Sequence, residues 1–290
     1  MLMRTIRRLT APGDERGFTL IELLVAAVVF VIAIGALLGI LRKNEGAREM
    51  SYYVLESRQN ARAGLDFIIG DIRMAGSGIP AKVVTSTAAG DSMILFGVSP
   101  DTTGGATDRM RILGAMSGTE TELRESMPNA SAEFKVQSTD GFEIGDLAVV
   151  TFGSWANMFQ ITAVQDAALK LQHNPVSPFN VPGGHHPFPP SGYPAGSKIY
   201  KVDLITYFVD RSDTTCPMLM RQDGTQQPKV VSEYITYLEF GYVLVDQSVV
   251  AVPADPTLVR RVIVTLEAAS SEKSQKHVTR LVSSGKPRAL

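Results

Sequence analysis

The chain has 290 residues, 44% of them apolar, which is enough for a sizeable core in one large domain or two small ones and excludes a disordered polymer. Charged residues make up 20% and the formal net charge is -1, so the overall balance carries no basic excess directed at nucleic acid or anionic lipid. Cys216 is the only cysteine, which rules out an intramolecular disulfide; no nucleophile pattern surrounds it, and it is read as a small, semi-buried residue.

The first seventeen residues form a basic leader with Arg4, Arg7, Arg8 and Arg16. From Leu23 to Leu41, nineteen residues carry no charge or strongly polar group. At about 1.5 Å per residue in a helix, that run roughly matches the hydrocarbon thickness of a bilayer. A secretory signal would place a small-residue cleavage site after the apolar run, whereas this run ends against Arg42 and Lys43. Glu22 stands at its head. A carboxylate in a membrane helix costs about 2.5 to 3.5 kcal/mol and is kept where it has a partner or a task, so Glu22 asks for a cation. Gly35 and Gly39 form a small-xxx-small pair, readable as a close helix contact or as a local weakening of the helix.

Beyond the apolar run, Met50, Tyr53, Val54, Ser57, Ala61, Leu65, Ile68, Ile72 and Ala75 step along by three or four residues. This predicts an amphipathic continuation of the helix over 42–75, with Arg62 and Asp66 as an i, i+4 pair and Gly76-Ser77-Gly78-Ile79-Pro80 as its stop. From 76 to 290 the pattern changes to short β-type runs: Met93 to Val98, Met110 to Leu113, Leu147 to Phe152, Phe159 to Val164, Leu169 to Leu171, Ile199 to Val209, Tyr234 to Val245 and Val259 to Leu266. One long helix followed by strands without βαβ alternation predicts an α+β fold with antiparallel sheet. Within the head, 134–172 reads as a compact β module turning at Gly145-Asp146.

The stretch 174–197 is a loop with seven prolines that carries Phe179, Phe188 and Tyr193, either to contact a partner or to cover the open face of a sheet. His173, His185 and His186 lack the spacing of a metal site. Asp101, Asp108, Asp210 and Asp213 lack the EF-hand spacing and read as turn residues, so no metal or cofactor is expected. There is no G-x-S-x-G, no H-E-x-x-H and no phosphate loop, and the expectation is a protein that is not an enzyme. A tip module binding DNA or a surface ligand would need a basic stripe interleaved with aromatics, which the sequence does not display.

The segment Arg16-Gly17-Phe18-Thr19-Leu20-Ile21-Glu22-Leu23 resembles, residue for residue, the type III signal of type IV pilins and type II secretion pseudopilins. The resemblance implies cleavage between Gly17 and Phe18 by a prepilin peptidase, methylation of the new Phe18 amine, and use of Thr19 and Glu22 in assembly. Pairing Glu22 with a neighbour's Phe18 amine would neutralise both charges in apolar surroundings. It also implies a boundary scheme of leader 1–17, transmembrane and assembly helix 18–41, amphipathic helix 42–75 and a pilin-type head with extra β elaborations. Arg58 to Asp66, Asp71 to Gly76, Leu219 to Gly224 and Val259 to Ala268 resemble the PilW type of minor pilin. The expected function is then a minor pilin that initiates or caps a type IVa pilus, with a J-type pseudopilin of type II secretion as the alternative. The expected partners are the prepilin peptidase, other minor pilins and the major pilin, a large tip adhesin and the inner-membrane assembly platform. The expected location is a single inner-membrane pass, amino terminus inside, with a periplasmic head that later stands at the pilus tip or base.

Overall fold

The structure, a computed structural model, describes residues 18–80, 82–86, 92–101, 108–177, 179–180, 187–271 and 277–288. The chain divides into two compact units, Met1–Tyr52 and Tyr53–Leu290. The described part of the first unit is helical from Leu20 and exposed along its whole length, as expected of a surface made for an apolar solvent. Helix α1 runs over Leu20–Met74, so its second part belongs to the other unit.

That second part is the spine of the head. Ser57, Ala61, Gly64, Leu65, Ile68, Ile69 and Ile72 are buried, a three-and-four spacing that sets one face against the sheets. The predicted face was drawn from Met50; the buried face begins at Ser57, and Met50 is 56% exposed. The helix stops where Gly76 and Gly78 take positive φ. Its end is stitched to a strand: Gly76 N donates to Leu113 O at 2.8 Å and Ala115 N to Ser77 O at 2.9 Å. Glycine is required at 114, where a Cβ would stand 2.7 Å from the Met74 carbonyl oxygen.

Seventeen strands follow among the described residues: β1 Lys82–Ser86, β2 Ser92–Phe96, β3 Val98–Pro100, β4 Met110–Gly114, β5 Glu120–Glu122, β6 Phe134–Lys135, β7 Leu147–Phe152, β8 Trp155–Gln160, β9 Ala163–Gln165, β10 Lys170–Gln172, β11 Lys198–Asp210, β12 Met218–Asp223, β13 Lys229–Ser232, β14 Ile235–Leu244, β15 Val249–Val250, β16 Val259–Ala269 and β17 Val278–Gly285. The arrangement of one long helix and a β head with almost wholly antiparallel sheets is the α+β class expected. Strand β11 is the hub of the ten-stranded sheet. Its first half pairs with β5 and β7, and its second half with β4 and β12. A second sheet has the order β15-β14-β16-β17, and a small third one the order β6-β10-β9.

The segment 134–172 does not close on itself. Its hairpin β7-β8 joins the large sheet through β11, whereas β6, β9 and β10 form the small sheet. The near-continuous apolar run Leu147-Ala148-Val149-Val150 follows from this placement, since both faces of β7 are covered. Ala148 and Val150 enter one core with Phe134, Phe159 and Tyr193; Leu147 and Val149 enter another with Val83, Leu95 and Phe179. A third core joins the helix to β4, β11, β12, β14 and β16.

Candidate processing and assembly site

Gly17 and the rest of the leader lie outside the described residues. Phe18 is 89% exposed, and the helix starts two residues later. Thr19 sits at the N-cap position and Glu22 three residues on. Thr19 N and Thr19 Oγ1 each donate to Glu22 Oε2 at 2.9 Å, while Glu22 N donates to Thr19 Oγ1 at 3.3 Å. This is a reciprocal capping box, which satisfies backbone N–H groups that a helix start otherwise leaves open.

The sequence pattern asked for a cation beside Glu22. Within this chain the carboxylate is instead engaged by its own helix start, through one oxygen; among the described residues, Oε1 carries no hydrogen bond. The capping box was visible as T-x-x-E in the sequence.

Elsewhere, the candidate ligands have structural duties. His173 Nε2 lies 2.8 Å from Ala132 O, with its ring 4.7 Å and 4.5 Å from those of Phe134 and Phe159. His185 and His186 lie outside the described residues. Asp101 accepts from Arg109 at 3.1 Å and Arg111 at 2.7 Å, and Asp108 pairs with Arg211 at 2.6 Å. Asp210 accepts from Ser212 N and Asp213 from Thr215 N, the turn role expected of them. Cys216 is half-buried. In the loop 174–197, Phe179 and Tyr193 are buried and Phe188 packs on the same core as Tyr193, so these aromatics cover sheet faces.

A polar cluster not anticipated from sequence ties the helix to the sheet. Tyr207 Oη donates to Asp71 Oδ2 at 2.7 Å, and Arg221 Nε donates to the same oxygen at 2.9 Å while its Nη1 pairs with Asp223. Burial, reinforced by the Asp71 carboxylate, pushes the Tyr207 phenol upward, so it stays a donor. Two of the segments singled out in the sequence, Asp71 to Gly76 and Leu219 to Gly224, meet in this cluster. Only the fold brings residues 136 and 150 positions apart together. A cleft beside it is lined by Asp146, Gln160, Lys201, Asp203, Asp223 and Gln226, with Lys201 paired to Asp146 at 2.7 Å. Burial pushes the Asp203 carboxyl up, against a backbone hydrogen bond to Met116 that lowers it.

A family model described as the prokaryotic N-terminal methylation motif matches residues 13–38. No curated protein matches the chain. The matched segment spans the leader end, the capping box and most of the apolar run, and α1 is the one described helix long and apolar enough to cross a membrane. Together they support a type IV pilin-like protein: a membrane-anchored subunit with a head domain, processed by a prepilin peptidase and assembling with other pilins.

Proposed function

We propose that the chain is a minor pilin, cut between Gly17 and Phe18, methylated at the Phe18 amine and used to initiate or cap a type IVa pilus. The observation that carries the reading is the placement of Glu22: an acidic group at the start of a membrane-type helix, four residues after Phe18, with one oxygen committed to its own cap. The other oxygen is the acceptor for the Phe18 amine of a neighbouring subunit, which sets the axial offset between them. The size of the head supports a minor rather than a repeating subunit, because a β domain from 76 to 290 is hard to stack along a thin fibre. In this reading the chain enters the inner membrane amino terminus inside, and meets the assembly platform, other minor pilins, the major pilin and a large tip adhesin.

The test is genetic and biochemical. Gly17→Phe should leave an uncut precursor of higher mass, and mature protein of unchanged length would remove the peptidase assignment. Glu22→Ala should be cut normally yet enter sheared pili at least tenfold less than the parent chain. A deletion that leaves piliation intact and abolishes exoprotein secretion would replace the pilus role with that of a type II secretion pseudopilin.

A further inference from the structure

Strand β17 is a sheet margin with no backbone partner on its outer side among the described residues. Its pairing with β16 is continuous over eight residues, without a bulge. Ser270 N donates to His277 O, which sets the phase of the ladder. Thr279, Leu281, Ser283 and Gly285 therefore bond to β16, and Val278, Arg280, Val282 and Ser284 point their N–H and C=O groups away from the sheet. Val278 and Val282 are 52% and 61% exposed, and Arg280 between them is paired with Glu267 at 3.3 Å.

Two other margins are protected. At the far side of the same sheet, β15 is two residues long; at one edge of the ten-stranded sheet, β13 is four, follows a register shift at Leu219 and Met220, and carries the exposed Lys229. Short strands, irregularities and lysines are the usual devices against unwanted pairing. β17 has no proline, no bulge and a single charge already engaged.

We propose that β17 is a docking edge for an extended strand of a different polypeptide, held by backbone pairing. The chemistry of the edge specifies the occupant: an unbroken extended segment without proline at the pairing positions, small or β-branched beside Val278 and Val282, and without Lys or Arg opposite Arg280. A second copy of this chain is disfavoured by direction. Ser57 Oγ lies 2.8 Å from Thr279 Oγ1, and a Cβ on Gly285 would meet Ile72, so the helix runs the same way as β17. Two β17 strands paired about a two-fold axis would set the docked parts of their helices, from Tyr53 on, head to tail, whereas subunits anchored in one membrane carry their Tyr53 ends on the same side. That choice of partner rests on residues 20–41 lying in a membrane; the edge pairing itself does not.

The test uses the full-length protein in its own cells, with p-benzoylphenylalanine placed in turn at 278, 280, 282 and 284, and at Glu239 on the face of β14 as a control. The expected result is cross-links from the four edge positions to successive residues of one extended segment of a different protein, absent from 239. Val282→Pro removes an outward N–H while leaving the ladder to β16 intact. It should cut the cross-link from 284 at least tenfold, while Val282→Thr keeps it within twofold. Scattered or missing cross-links, or an unchanged yield in Val282→Pro, would overturn the docking edge. Cross-links solely to another copy of β17 would overturn the choice of partner. Normal cleavage at Gly17 in the same cells separates either failure from failure of the pilin reading.

Discussion

At the scale of single residues, the amino-terminal box can be tested apart from the pairing proposed for Glu22. Thr19→Val removes the hydroxyl that donates to Glu22 and accepts from its N–H, a loss of about 0.5 to 2 kcal/mol for a capping residue. Amide exchange over residues 20–23 in detergent micelles should quicken in Thr19→Val and stay unchanged in Thr19→Ser. Asp203 makes a pH prediction. Its carboxyl is raised by burial, so the folded state holds the proton more tightly than the unfolded chain does. The destabilisation is full above the folded pKa and gone below the ordinary carboxylate range. Asp203→Asn, which keeps an oxygen for Met116, should therefore raise the melting temperature at neutral pH, and the gain should vanish as the pH falls below about 4.

At the scale of elements, the docked half of α1 depends on a few close contacts. Ile72 is fully buried against the sheet, and Ile72→Ala should cost about 2 to 5 kcal/mol in chemical denaturation. Met50→Ala, outside the buried face, should lie within about 0.5 kcal/mol of the parent. Arg221→Ala leaves Asp71 with Tyr207 alone; for a partly exposed pair the expected loss is about 1 to 2 kcal/mol, read from the same denaturation midpoint. The helix was legible because its buried positions are apolar or small at helical spacing. The strands Leu147–Phe152, Met110–Gly114 and Lys198–Asp210 were legible for the corresponding reason, runs of β-branched and apolar residues. β17 was not: its inner face, Thr279, Leu281, Ser283 and Gly285, is mostly small or polar, and at Gly285 the helix approaches too closely for any side chain. β12 and β13 were missed as well, since they are short and carry polar residues where they meet, at Arg221, Gln222, Asp223 and Lys229.

At the scale of the whole molecule, the two units answer to different solvents. Residues 53–290 keep all three hydrophobic cores, so a chain beginning at Tyr53 should fold and show cooperative thermal unfolding in water without detergent. The membrane-type unit was plain in the sequence, because apolar length and one misplaced carboxylate are local signals. The path of 174–197 was only half legible. Its prolines announced a loop, while the burial of Phe179 and Tyr193 depends on the sheets they cover.

The closure of the helix end has a temporal consequence. Arg288 N donates to Ala75 O at 3.0 Å, and Gly285 lies against Ile72, so a late strand and the residues after it complete the surroundings of a much earlier helix. Helix α1 is finished early, whereas the part of its cover at Ile69 and Ile72 that Gly285 supplies waits for β17, a long-range closure that slows folding. A reading frame stopped before Val278 would forfeit the docking of the spine rather than a dispensable tail.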